Sequence, residues 1–263
     1  MQAHAGSLLR IFQQAPCPAL RPIIKRFLVI EFPWFYSDVH LPETDAVAAF
    51  SFRGACRINE TDWAPPAAFT GPRDTLRAHK HREGHAVLLA MFTPVGAYTF
   101  VRSPLHELAG FTVSLEELVG SPEELRRLTE QLNAAIDHRR RFALVENFLL
   151  ARLSVSGTDP LISAAVAWLE QRTTGQRIDD LTRYIGLSQS ALERRFRRVV
   201  GVSPKKYASL MRLRRAVRLQ ATGVDLTTVA HTAGYFDQSH FIKDFRRATG
   251  SAPSFFFSHN SVQ

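Results

Sequence analysis

The chain has 263 residues, 45% of them apolar, enough to bury a core in one large or two ordinary domains, which excludes a disordered or fibrous protein. Its formal net charge of +9 is unevenly spread: residues 1–157 carry 17 basic and 16 acidic side chains, whereas residues 158–263 carry 16 and 8. A near-neutral part beside a basic part points to a polyanionic partner for the second part alone.

Cys17 and Cys56 are the only cysteines, so neither a disulfide framework nor a four-cysteine zinc site is expected, and a reducing, cytoplasmic setting fits. The longest apolar run, residues 86–92, falls far short of the roughly 20 residues of a membrane helix. The first 20 residues lack the pattern of a secretory signal, so no membrane partner is expected.

From about residue 21 to residue 111, short apolar stretches are broken by Pro, Gly and Asn. Residues 47–52, 87–92 and 97–101 carry the β-branched and aromatic side chains that strands favour, with Thr93-Pro-Val-Gly96 as a turn between the last two. This predicts a β-rich, barrel-like domain whose interior takes up most of the 13 aromatic residues between Phe27 and Phe111. Two capping boxes follow, Ser114 with Glu117 and Ser121-Pro122 with Glu124. The second opens a helical stretch with Leu125, Leu128, Leu132 and Ala135 at helical spacing; after a basic break at His138-Arg-Arg-Arg141 the pattern resumes with Val145, Phe148, Leu149 and Leu153. These stripes can pack on the β-rich domain or on a second copy of the chain, so a homodimer contact is one of two open readings. Residues 154–160 read as a linker, with Asp159-Pro160 as the N-cap and first-turn proline of a new, all-helical domain.

Two helix-turn-helix patterns lie beyond it. In the first, a helix over 179–185 breaks at Gly186, and Ser188 caps a second helix over 189–199 that carries Arg194, Arg197 and Arg198. In the second, a helix over 226–232 breaks at Ala233-Gly-Tyr235, and Asp237 caps a helix over 238–249 ending in Arg246 and Arg247. The units close alike: Phe196-Arg-Arg-Val-Val-Gly-Val-Ser-Pro204 and Phe245-Arg-Arg-Ala-Thr-Gly-Ser-Ala-Pro253 repeat Phe, Arg-Arg, Gly and Pro at identical spacing. Ser203-Pro204 starts a connecting helix of roughly 18 residues, about 27 Å long at 1.5 Å per residue. With the width of the flanking units, that length sets two reading helices about one turn of DNA, near 34 Å, apart.

These residues resemble the DNA-binding domain of AraC/XylS-type bacterial transcription regulators. The most specific match is Val229-Ala-His-Thr-Ala-Gly-Tyr-Phe-Asp-Gln-Ser-His-Phe-Ile-Lys-Asp-Phe-Arg-Arg-Ala-Thr-Gly-Ser-Ala-Pro253, joined by Gly201-Val-Ser-Pro-Lys-Lys-Tyr207 and Arg212-Leu-Arg-Arg-Ala216. The resemblance implies seven helices, two helix-turn-helix units and control of transcription initiation, by default as an activator, with double-stranded DNA and RNA polymerase as partners. Carried over by position, the base-reading places fall on Ser190, Glu193 and Arg194 in the first unit and on Gln238, Ser239, Ile242 and Lys243 in the second. Arg and Lys can donate to guanine, Gln to adenine or a phosphate, and Glu can accept from cytosine. Arg197, Arg198, Arg246 and Arg247 are assigned to phosphates or the solvated face. For Glu193 an i,i+4 pair with Arg197 stands as an equal alternative, Ser239 either reads a base or is a small spacer, and Ile242 either reads a thymine methyl or shields the turn. Lys243 stands where the family more often has Arg, and Thr182 where it usually has Ala.

The N-terminal part, through Phe69-Thr-Gly71, Phe92-Thr-Pro-Val-Gly-Ala-Tyr98, Pro104-Leu-His-Glu-Leu108 and Leu115-Glu-Glu-Leu-Val-Gly120, resembles a β-rich domain found ahead of such DNA-binding domains. Its expected role is to bind a small-molecule effector, to dimerise, or both. The fold class expected is α+β: a β-rich sensor or dimerisation domain over 1–120, a helical arm over 121–154, a linker over 155–159 and a DNA-binding domain over 160–258, with units at about 178–200 and 226–249.

Three rival chemistries have some footing in the sequence. His79, His81 and His85 form an H-x-H-x3-H cluster that could ligate a metal from one face of a strand. Because Arg77, Lys80 and Arg82 crowd it, a solvated basic loop is preferred and no metal or cofactor is expected. A thiol-dependent sensor or repair protein is disfavoured because Cys17, in Ala-Pro-Cys-Pro-Ala, has no adjacent His or Arg; no G-x-S-x-G elbow or Gly-rich phosphate loop supports an enzyme. A non-specific architectural DNA-binding protein would need only phosphate contacts, not two helices with polar N-terminal ends.

Overall fold

The computed structural model describes residues 9–59, 62–153, 157–171 and 177–259, so the linker read over 154–160 lies partly outside the described residues. In chain order the strands are β1 (Arg10–Gln14), β2 (Ile24–Glu31), β3 (Tyr36–His40), β4 (Val47–Arg53), β5 (Cys56–Ile58), β6 (Asp62–Trp63), β7 (Ala67–Thr70), β8 (Arg77–His81), β9 (Ala86–Phe92) and β10 (Thr112–Ser114). They form two antiparallel sheets, one of six strands in the order β1-β2-β9-β4-β7-β10 and one of four in the order β3-β8-β5-β6. Neither sheet closes on itself, so the barrel expected from the sequence is replaced by two open sheets. The edge strands β6 and β10 have only two and three residues, too few to close a ring of ladder hydrogen bonds.

Residues 97–101, expected as a strand, are helical: α1 is Gly96–Val101. Gly96 N–H closes a turn onto Thr93 O at 3.0 Å, and a Cβ on Gly96 would lie 2.1 Å from Ile23 O, so the chain turns here against the backbone of the neighbouring segment. That turn places Ala97, Phe100 and Val101 at i, i+3 and i+4, buried together, and burial overrides their preference for strands.

The arm consists of α2 (Leu115–Val119), α3 (Pro122–Ala134) and α4 (His138–Leu150). Ser114 caps α2 by accepting from Glu116 N–H at 3.2 Å, whereas Ser121 makes no side-chain cap and Pro122 alone sets the first turn of α3. The basic stretch at 138–141 is not a break: Asp137 accepts from Arg140 N–H at 2.7 Å, which makes these residues the first turn of α4. The break falls just before it, closed by Arg141 donating to Ala135 O at 2.6 Å and Leu132 O at 3.0 Å. Leu125, Leu128, Leu132, Phe142, Val145, Phe148 and Leu149 are buried in one core with Phe27, Phe50 and Leu88 of the six-stranded sheet. Phe50 and Phe148 meet edge to face at 5.8 Å. The apolar stripes of the arm are thus covered by the chain's own sheet.

The C-terminal part is all helix: α5 (Pro160–Gln171), α6 (Ile178–Ile185), α7 (Gln189–Val200), α8 (Pro204–Gln220), α9 (Leu226–Ala233), α10 (Gln238–Thr249) and α11 (Pro253–His259). Asp159 caps α5, accepting from Leu161 and Ile162 N–H at 3.1 Å each. Two cores hold it together, one around Leu181, Leu192, Phe196 and Tyr207, the other around Val229, Phe241, Phe245 and Phe256. Helix α8 feeds both, Tyr207 and Ala208 into the first and Leu213, Ala216 and Val217 into the second. It sets the spacing of the two units.

The β-rich part grips this helical part along α8 and at the end of α10. Arg214 pairs with Glu43 at 2.6 Å, Lys206 pairs with Asp74 at 3.0 Å, and Leu76 N–H donates to Ala248 O at 3.2 Å. A cavity of about 760 Å³ opens between them, lined by Arg26, Tyr36 and His40 on one side and Arg214, Val217 and Arg218 on the other.

Candidate nucleic-acid interface

Each helix-turn-helix unit is assembled by local signals. In the first, Gly186 at φ +73° ends α6, and Ser188 Oγ accepts from Ala191 N–H at 3.3 Å to start α7. In the second, Gly234 at φ +92° ends α9, and Asp237 accepts from His240 N–H at 2.7 Å to start α10. Leu192 and Phe196 of α7, and Phe241 and Phe245 of α10, are buried at i and i+4, which fixes the opposite face of each helix outward.

Ser190, Arg194, Arg197 and Arg198 are exposed on α7, and Glu193 is half-buried. Arg195, which no motif singled out, forks onto Asp159 at 2.6 and 3.1 Å and so ties α7 to the start of α5. Thr182 donates to Asp179 O at 2.9 Å, so its hydroxyl is satisfied within its own helix. Arg198 stands 5.5 Å from the centre of the Tyr98 ring, facing the N-terminal part of the chain.

On α10, Ser239, Lys243, Arg246 and Arg247 are exposed. Gln238 is half-buried, its Oε1 accepting from Thr227 Oγ1 at 3.2 Å, which leaves its amide N–H groups to donate outward. Ile242 is partly buried and packs against the second helical core. The helix is held to α8 through Asp244, which accepts from Ser209 Oγ at 2.9 Å and from Tyr235 O–H at 3.4 Å. On the other unit Tyr207 O–H donates to Glu170 at 2.7 Å; burial and that carboxylate push the hydroxyl's pKa up. Sequence reasoning passed over Phe236, 90% exposed in the turn just before Asp237, and His240, exposed in the first turn of α10. An apolar ring next to a cap residue in a turn was the available signal.

The histidine cluster is not a solvated loop. His79 and His81 lie on β8, His85 lies in the turn before β9, and His81 and His85 are buried. His81 Nδ1 and His85 Nδ1 are 2.9 Å apart, and His85 Nε2 meets Ser51 Oγ at 3.1 Å. Burial holds the His79 and His85 rings neutral, with pKa values down at about 3 and about 4. Cys56 is buried and its thiol is pushed up to about 12 by burial and the charge of Asp38, while Cys17 is half-buried with its N–H donating to Glu146 at 2.7 Å.

Comparison with known proteins bears on the helical part. The family model of a helix-turn-helix domain matches residues 181–259. The raffinose operon transcriptional regulatory protein RafR of Pediococcus pentosaceus is 35% identical over 94 residues, 35% of this chain and 34% of the relative. The HTH-type transcriptional activator RhaS of Pectobacterium carotovorum is 31% identical over 94 residues, again 35% of this chain and 34% of the relative. The chain thus spans about a third of the length of these relatives. A crystal structure of ToxT from Vibrio cholerae covers 89% of this chain and 98% of its own at 14% identity, with a TM-score of 0.48. The helical C-terminal part of the chain is thus an AraC/XylS-type helix-turn-helix domain, joined to a β-rich N-terminal part.

Proposed function

We propose that the whole chain is a sequence-specific DNA-binding transcription regulator of the cytoplasm, not an enzyme. The observation that carries this is the pair of capped helices α7 and α10, each with exposed polar side chains at its N-terminal end and both seated on α8. At 17 residues α8 is about 26 Å long, a spacing suited to two successive major grooves. Ser190, Glu193 and Arg194 are the base-reading set of the first unit; Gln238, Ser239 and Lys243 are that of the second, with Ile242 bracing the turn. Arg197, Arg246 and Arg247 hold phosphates, and Arg198 divides between that role and Tyr98. Activation through RNA polymerase is the reading taken from the activators among its relatives. The cavity between the β-rich part and α8 is the place proposed for a small-molecule effector, because an occupant there touches both the sheet and the helix that spaces the two units.

Selection of bound duplexes from a random-sequence pool, at a stated salt near physiological, tests this. Two short enriched blocks about one helical turn apart are expected. Salt-sensitive binding without any enriched sequence, with and without cell extract as a source of effector, would leave an architectural DNA-binding protein instead.

A further inference from the structure

Strands β3 and β8 run antiparallel with Asp38 directly opposite His79 and Tyr36 opposite His81. Side chains two apart on a strand share a face, so Asp38, His40, His79 and His81 all project from the same side of the four-stranded sheet. On that side His40 Nε2 lies 3.1 Å from Asp38 Oδ2, His79 Nδ1 3.8 Å from Asp38 Oδ1, and His81 Nε2 3.5 Å from the same oxygen. The carboxylate is the hub of three imidazoles drawn from two strands.

The hydrogen bond between His40 and Asp38 Oδ2 accounts for only one oxygen of this carboxylate. Asp38 Oδ1 and His81 Nε2 are both buried without a hydrogen-bond partner, and His81 is only 7% exposed. A buried carboxylate oxygen left without a hydrogen bond costs stability unless a cation or a donor meets it. Around a tetrahedral ion with bonds of about 2.0–2.2 Å, ligand atoms stand about 3.3–3.6 Å apart, a range bracketed by the 3.1 Å from His40 Nε2 and the 3.8 Å from His79 Nδ1 to the Asp38 oxygens. The ligand atoms of Asp38, His40 and His79 all lie within 4.8 Å of one another, and the His40 ring is exposed.

We propose that Asp38, His40 and His79 bind a divalent first-row transition metal ion. Two imidazoles and a carboxylate suit zinc, nickel or cobalt better than magnesium or calcium, which take oxygen ligands. His81 is a positioning residue: it stacks on Phe32 at 3.8 Å, is met from behind by His85, and holds Asp38 from below. The set differs from the histidines singled out by spacing alone, since His85 serves His81 while Asp38 and His40 come from 39 or more residues earlier in the chain. Asp38 and His40 also line the cavity against α8, which Arg214 and Arg218 line from the other side.

The test uses the untagged full chain, stripped with chelator and titrated with Zn²⁺ by calorimetry, followed by the visible spectrum after loading with Co²⁺. One equivalent of Zn²⁺ and the spectrum of a four-coordinate Co²⁺ site are expected. His40→Gln, a change at an exposed side chain, and His79→Gln should each weaken binding at least about tenfold. His106→Gln, at an exposed histidine elsewhere, should leave it unchanged. No heat and no Co²⁺ spectrum with the unaltered chain would overturn the proposal. So would equal affinity in His40→Gln, His79→Gln and the parent, which would place the ion elsewhere.

Discussion

Arg214 Nη1 lies 2.6 Å from Glu43 Oε1 and 4.0 Å from Asp45 Oδ2, so the helix that spaces the two helix-turn-helix units is anchored to the β-rich part by one guanidinium facing two carboxylates. Lys25 supports the same cluster, 2.9 Å from Asp45. Both partners of the Arg214–Glu43 pair are about four-fifths buried, a setting in which removing one partner costs far more than the pair itself contributes. Arg214→Met should therefore lower unfolding stability by about 3 kcal/mol, as read by urea unfolding at pH 7. A loss under about 0.5 kcal/mol would mean that water fills the site and the anchor is only apparent.

Glu43→Gln should behave differently. Burial first, and then the neighbouring Asp45, raise the Glu43 pKa despite Arg214. A carboxyl whose folded pKa lies above its unfolded value adds stability that is full below the unfolded pKa and is lost as pH rises through the folded one. Charge on Glu43 is thus a burden at neutral pH, and the amide keeps an acceptor for Arg214 without repelling Asp45. Glu43→Gln should stay within about 1 kcal/mol of the parent at pH 7. Relative to it, the parent should gain stability as pH falls from neutral toward the ordinary carboxylate range. A parent that instead loses stability relative to Glu43→Gln over that window would reverse the sign assigned to this group.

Gly201 and Gly250 occupy the same place in the two repeated units, each ending its recognition helix with a left-handed residue, at φ +88° and +79°. A Cβ on Gly250 would meet nothing within 4 Å, so Gly250→Ala carries only the backbone cost, about 1–2 kcal/mol. A Cβ on Gly201 would stand 2.6 Å from Pro72 Cγ and 3.2 Å from Leu105 O, both in the N-terminal part. Gly201→Ala should cost that amount and loosen the contact between the two parts as well. Limited proteolysis of the two variants should cut between the parts faster in Gly201→Ala alone. Equal rates would show that Pro72 yields without consequence.

The helical part was legible because its signals are local. Ser188, Asp237, Gly186 and Gly234 each stop or start a helix within a turn of themselves, and the repeated Phe-Arg-Arg spacing marks the units without any knowledge of their surroundings. The β-rich part was legible as a class but not as a shape. Nothing local distinguishes two open sheets from one closed ring, and residues 97–101 carry strand-favouring side chains that burial turns into a helix. The cluster around Asp38 depends on which strand pairs with which, as His79 meets Asp38 only through the β3–β8 register. Arg214 offered even less, since an arginine on a basic helix gives no hint that it faces Glu43.

The two cysteines should differ in reactivity. Attack on a thiol reagent requires thiolate, and a Cys56 pKa near 12 leaves about one part in ten thousand ionised at pH 8, behind a buried surface besides. In the folded protein an aromatic disulfide reagent at pH 8 should leave Cys56 unmodified until urea unfolds the β-rich part. Two fast equivalents in native buffer would mean that β5 opens readily. The Cys17→Ser variant isolates the Cys56 signal.

The proposed division between reading and gripping residues makes the sharpest claim about DNA. Arg194 and Arg246 are both exposed arginines, one in the middle of α7 and the other nearer the C-terminal end of α10, and composition alone cannot tell them apart. A recognition helix enters the groove by its N-terminal end, so an arginine within its first two turns can reach base edges, whereas one in the last turn meets the backbone. Arg194→Ala should therefore cost about 1–3 kcal/mol on the selected duplex and nearly nothing on a duplex changed at the one base it reads. Arg246→Ala should weaken all duplexes alike and reduce the steepness of the salt dependence by about one counterion. Binding isotherms for both variants on matched and singly substituted duplexes, at two salt concentrations, separate the cases. If both variants lose affinity equally on every duplex, Arg194 grips phosphate, and base reading by the first unit must rest on Ser190 and Glu193 or be absent from it.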